Sequence, residues 1–132
     1  MPYFGKTSTE RLETCHQDIQ DLFREVVRFY DLAVVEGHRT TERQQKLYAQ
    51  GRTEPGKIVT YKDGIARLSK HQIIPSPAID VVPYPIDWQA THRFYEASGW
   101  IKCIAMGMNI PIQWGGDWPR FRDLPHWELR ND

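Results

Sequence analysis

The chain has 132 residues, a length that suits one domain around one core. Apolar residues make up 40% of it, which excludes wholesale disorder. Lys plus Arg and Asp plus Glu balance at 17 each, which argues against a protein that takes its affinity from the phosphate backbone of nucleic acid.

Cys15 and Cys103 both fall in stretches of helical apolar spacing, without a CxxC or Cys-x-His neighbour. They are expected to be buried free thiols, not a disulfide framework or metal ligands. The first six residues hold no apolar run of signal-peptide type, and no segment approaches the roughly 20 apolar residues of a membrane span. A soluble, monomeric chain made in the cytoplasm is expected. Something else must release it if its substrate lies beyond the membrane.

Thr7 and Glu10 have the spacing of a capping box. Leu12, Cys15, Ile19, Leu22, Phe23, Val26 and Tyr30 then recur every three or four residues, which predicts one helix ending near Asp31 with its apolar face in the core. His16 lies off that stripe and reads as solvated. Leu32–Glu36 reads as a strand ending at Gly37, with His38-Arg39-Thr40 at its exit. Thr41 and Gln44 give a second capping box, opening a short helix that stops at Gly51. Residues 51–68 carry the turn signals Pro55-Gly56 and Asp63-Gly64, with room for a brief strand at 57–60. A loop of this length in a compact domain often serves a site.

Residues 69–77 read as extended and irregular, and 78–82 as a strand. Asp87 is placed to cap a helix from Trp88 to about Met106, with Phe94, Tyr95, Ala97, Trp100, Ile101, Ile104 and Ala105 on its buried side. Gly99 suggests close packing there, and His92 reads as exposed. Residues 112–114 form a strand, 115–117 a turn, 118–124 a loop and 125–130 a final strand. No repeat, low-complexity tract or linker divides the chain, so a single domain over residues 1–132 is expected.

A catalytic zinc takes about three protein ligands and keeps a position for water. His71, Asp80 and His126 supply suitable donors. Strand alternation puts Ala78 and Asp80 on one face and Ile79 and Val81 on the other. Asp80 should therefore face a cavity, with the small Ala78 leaving room beside it. The same rule puts His126 and Glu128 on one face and Trp127 on the buried one. Spacing alone leaves a plainer reading open, in which these are surface or hydrogen-bonded core side chains.

The motifs narrow that choice. Gly37-His38-Arg39-Thr40 is followed by Gln44-Gln45-Lys46-Leu47-Tyr48 and Gly51-Arg52-Thr53-Glu54-Pro55-Gly56. Then come Ser69-Lys70-His71, Ala78-Ile79-Asp80, Trp114-Gly115-Gly116-Asp117-Trp118 and Asp123-Leu124-Pro125-His126. In that order, over residues 35–129, they resemble the zinc D-alanyl-D-alanine carboxypeptidase and L-alanyl-D-glutamate endopeptidase family, nearest to its bacteriophage endolysin branch. The gap between His71 and Asp80 is wider than the family's commoner form and holds Pro75-Ser76-Pro77, so a wider loop with the same ligands is expected. The acid before His126 is aspartate, as is usual in the lytic branch.

The resemblance implies that His71, Asp80 and His126 bind zinc, that Asp123 is the general base, and that Arg39 stabilises the oxyanion. Glu128 is either a rival base or a partner of a ligand's second ring nitrogen. Gln44 is expected to support the site or meet substrate. Ser69 orients His71 or a ligand carboxylate, or is a plain turn residue; a surface ion pair is the bland reading of Arg39. Trp114, Trp118 and Tyr84 line the cleft or pack as core and lid. Arg52, Arg120 and Arg122 meet wall-peptide carboxylates or are merely solvated.

The expected fold is α+β, a small, mainly antiparallel sheet with packed helices and the zinc in a cleft at the sheet. The expected activity is hydrolysis of a peptidoglycan stem-peptide amide, between L-alanine and D-glutamate, in bacteriolysis. No separate wall-binding domain, nucleic-acid partner or membrane insertion is expected. A D-alanyl-D-alanine carboxypeptidase and a non-catalytic wall-binding module are the alternatives.

Overall fold

The computed structural model describes residues 2–131. Four antiparallel strands form its sheet: β1 (Leu32–Glu36), β2 (Ala78–Pro83), β3 (Ile112–Trp114) and β4 (His126–Leu129), in spatial order β1-β2-β4-β3. Four α-helices accompany them among the described residues: α1 (Lys6–Leu12), α2 (Gln17–Val26), α3 (Thr41–Ala49) and α4 (Thr91–Gly107). Short 3-10 turns occupy Lys70–Gln72 and Gly115–Asp117. The architecture is α+β, as expected.

Alternation along the central strands sorts their side chains. Ile79 and Val81 of β2 and Trp127 of β4 enter the core with Phe23, Leu22, Phe94 and Ile101 from α2 and α4. Asp80 and His126 point the other way and are register partners across the β2–β4 ladder. Directly opposed side chains on one face lie within reach of each other, so the pairing itself delivers two of the expected ligands to one point.

β1 is an edge strand. Its outward backbone groups at Val34 are taken up by α1: Arg11 Nη1 donates to the Val34 carbonyl at 3.0 Å, and Ser8 Oγ accepts from its N–H at 3.0 Å. This satisfies an otherwise open edge. A register shift between Val34 and Glu36 then sets Glu36 opposite Asp80. Bulges re-aim side chains in this way.

Several local expectations change, and α3 is capped by Thr40, whose side chain accepts from the Arg43 N–H, rather than by a Thr41–Gln44 box. The helix predicted over 7–31 is two helices, because the backbone between them turns to pair with the segment before β2. Cys15 and Ser76 form an isolated parallel bridge, the His16 N–H donates to the Ser76 carbonyl at 2.8 Å, and the Ser76 N–H donates to Thr14 at 3.0 Å. His16 is the cap of α2 rather than a solvated residue, its Nδ1 accepting from the Asp18 N–H. Thr7 and Glu10 lie inside α1, which starts after Gly5 without a side-chain cap. On α4, the start moves from Trp88 to Thr91, since Asp87 accepts from the Gln89 N–H in a turn of its own. Tyr95 and Trp100 are exposed, nothing approaches Gly99, and Cys103 is exposed, whereas Cys15 is buried. Residues 57–60 form no strand, and Ile58 and Val59 are exposed.

Candidate metal centre

The site joins the two central strands to the turn that carries His71. Ser69 caps that turn with Oγ, which accepts from the His71 N–H at 3.2 Å, and Gln72 closes a capping box back onto Ser69. Ser69 thus fixes the His71 backbone rather than its ring. His71 Nδ1 meets the Gly37 carbonyl at 2.8 Å, which makes Nδ1 the protonated nitrogen and leaves the Nε2 lone pair facing the site.

His71 Nε2, His126 Nδ1 and Asp80 Oδ1 form a triangle with sides of 3.2 Å between the nitrogens, 3.2 Å from His126 to Asp80 and 3.4 Å from His71 to Asp80. Bonds of about 2.0–2.1 Å to a tetrahedral ion give ligand–ligand edges of about 3.3–3.4 Å. One ligand atom from each lies within 4.8 Å of the other two, and both histidines are buried. Two neutral imidazoles and a carboxylate fit a divalent cation in both geometry and donor chemistry.

The far side of His126 is held as firmly. Its Nε2 donates to Glu128 Oε1 at 2.8 Å, while Glu128 Oε2 takes Lys70 Nζ at 2.6 Å and Gln113 Nε2 at 2.9 Å. Both carboxylate oxygens of Glu128 are therefore engaged away from the triangle. Lys70, Gln113 and Glu36 are the functional residues that sequence reasoning missed. Gln113 had a usable signal, since β3–β4 register makes it the cross-strand partner of Glu128; Lys70 had none, because only the fold brings it there.

Arg39 follows β1. Its Nε pairs with Glu36 at 2.7 Å, Nη1 donates to Gln44 Oε1 at 2.8 Å, and Nη2 faces Asp80 Oδ2 at 3.6 Å. The guanidinium is thus aimed at the ligand set by two fixed contacts, not left as a surface ion pair.

Asp123 sits in the loop before β4, against Gly115. Its N–H donates to the Gly115 carbonyl at 3.1 Å, and its own carbonyl accepts from the His126 N–H at 3.2 Å. A Cβ at Gly115 would collide with the Asp123 carbonyl and press on the Cβ atoms of Asp123 and His126. Gly115→Ala is expected to destabilise the fold by about 1–3 kcal/mol through overpacking. Its activity should fall further than the folded fraction measured by thermal unfolding.

Electrostatics separate the acids. Burial pushes the Asp80 carboxyl up, but hydrogen bonds from His126 and His71 override it and hold the group well below the usual carboxylate range. Asp123 moves the opposite way, raised by burial and then by the negative charge of Asp80. Burial lowers His126, yet its bonds to Asp80 and Glu128 prevail and raise it to about 9. A cation must therefore displace a proton from His126 at neutral pH. Metal affinity is expected to rise roughly tenfold per pH unit below that value, one proton being released, and to level off above it. Titration calorimetry in buffers of different ionisation enthalpy, repeated at several pH values, would check this; affinity independent of pH from about 6 to about 8 would contradict it.

Other expected cleft residues separate. Trp118 leans on His126, with ring centroids 5.2 Å apart. Trp114 is buried, stacks on Trp127 and donates to the Leu124 carbonyl, so it is core. Tyr84 lies exposed past the far end of β2, beside residues 2–8. Arg52 lies over the Tyr48 ring, and Arg120 and Arg122 are exposed.

The family model described as phage L-alanyl-D-glutamate peptidase matches residues 1–128. Peptidoglycan L-alanyl-D-glutamate endopeptidase CwlK of Bacillus subtilis (strain 168) is 33% identical over 101 residues, 75% of this chain and 60% of that protein. The chain therefore spans about three fifths of this curated relative. The crystal structure of Serratia marcescens L-Ala D-Glu endopeptidase ChiX shares the fold, with a TM-score of 0.73 at 24% identity over 93% of this chain and 86% of that one. The motif order, the fold and these matches agree: the chain belongs to the phage L-alanyl-D-glutamate peptidase family.

Proposed function

We propose that the chain is a zinc-dependent peptidoglycan endopeptidase that hydrolyses the amide between L-alanine and D-glutamate in the stem peptide, and that it serves as a bacteriolytic endolysin. The observation that carries the zinc reading is the donor triangle of His71, Asp80 and His126, with each histidine locked from behind by Gly37 or Glu128. The family and the activity of CwlK support the bond and the substrate, and ChiX supports the fold. No described helix is long and apolar enough to cross a membrane.

Held by His71, Asp80 and His126, zinc would supply Lewis acidity at the scissile amide. Asp123, with its raised proton affinity, would accept the proton given up by the attacking nucleophile and return it to the departing amine. Arg39 presents Nη2 where negative charge grows on the carbonyl oxygen, held there by Glu36 and Gln44. Glu128 keeps the His126 tautomer, and Ser69 keeps the His71 turn.

The test is product analysis. Purified wall incubated with the metal-loaded protein should gain free amino groups on D-glutamate. Free D-alanine without them would replace this reading with the carboxypeptidase, and wall binding without any product would leave only a binding module.

A further inference from the structure

The chain between α3 and the His71 turn is tied to the site at three points. Gln44 is fully buried, and both of its amide protons go to this loop, to the Lys62 carbonyl at 2.7 Å and Thr60 Oγ1 at 3.2 Å. Its Oε1 accepts from Arg39 Nη1. Gly64, at φ +88°, packs against the Gln44 stem, and its carbonyl accepts from Gln72, next to His71. Tyr61 meets Phe121, in the loop that leads to Asp123, with ring centroids 4.7 Å apart.

Only an amide does what position 44 requires. Arg39 can only donate and the Lys62 carbonyl can only accept, which fixes the orientation of the amide between them. A carboxylate would satisfy the arginine and repel the loop carbonyl; an ammonium would do the reverse.

We propose that Gln44 is a positioning residue that couples the seating of loop 57–68 to the aim of Arg39, so that the loop clamps the stem peptide and squares the guanidinium together. This rests on the peptidase reading for its kinetic consequence alone. The loop contacts are independent of it.

Three variants separate the two ends of the link. Gln44→Glu keeps the acceptor for Arg39 and loses the donors to the loop. Thr60→Val removes one loop bond and nothing at the arginine. Gln44→Met, of similar volume, removes both ends. Deuterium exchange over residues 57–68 and steady-state kinetics on stem peptide should be measured for each. Exchange should quicken in all three. KM should rise and kcat should fall together in all three, by about 10- to 100-fold in kcat for Gln44→Met and Gln44→Glu and by a smaller factor for Thr60→Val, which loses one loop bond only.

Unchanged exchange in all three overturns the proposal, as does a folded Gln44→Met protein with wild-type kcat, since the residue is then packing alone. If Gln44→Met does not fold, the other two variants decide. A wild type without hydrolysis but with faster loop exchange in the variants would defeat the peptidase reading and still support the link between Gln44 and the loop.

Discussion

Asp123→Asn is expected to lower turnover by about a hundred- to ten-thousand-fold while metal content and thermal midpoint stay near wild type. The backbone that carries the side chain is held by bonds to Gly115 and His126 that an amide leaves intact. What disappears is the capacity to accept a proton, in a group whose proton affinity is raised by burial and by the neighbouring charge of Asp80. Retention of more than about a tenth of the activity would assign the base elsewhere, because general-base removal rarely costs so little. Glu128 would be a poor substitute, since His126, Lys70 and Gln113 already occupy both of its oxygens.

His126→Ala should abolish stoichiometric metal binding and activity together. It removes one corner of the triangle and leaves the Asp80 carboxylate without its shortest histidine partner. Glu128→Gln is the graded companion: an amide oxygen still accepts from His126 Nε2, but Lys70 loses its ion pair, and metal affinity should weaken by about 10- to 100-fold. Metal analysis after dialysis, with competition against a chromogenic chelator, would rank wild type above Glu128→Gln and Glu128→Gln above His126→Ala. Equal metal content in wild type and His126→Ala would remove this histidine from the ligand set.

Period-2 alternation was enough to place Asp80 and His126 on one face and Trp127 on the other, because one side of β2 and β4 is filled with large apolar groups. The turn before β2 was legible through Ser69 and Gln72 only as irregular chain; its 3-10 geometry depends on their reciprocal bonds. The amino-terminal helix was misjudged for a physical reason. Cys15 continues the apolar stripe, so periodicity runs straight through a position where the backbone pairs with Ser76. Local pattern carries no trace of a partner about 61 residues away. The same limit hid Lys70 and the ring of bonds around Gln44, which exist only once distant segments meet.

The interruption at Cys15 and His16 gives the first two helices a duty beyond lining the interior. Ser76 is clasped by Thr14 and His16, one on either side of the break, and Gly37 abuts Arg11 and Thr14 so closely that no side chain would fit. The backbone that receives the His71 proton and the backbone that leads into Asp80 thus lean on one shared bracket. Trimming the chain to residue 17 would spare all three candidate ligands and still remove the abutment that keeps them trained on a common point.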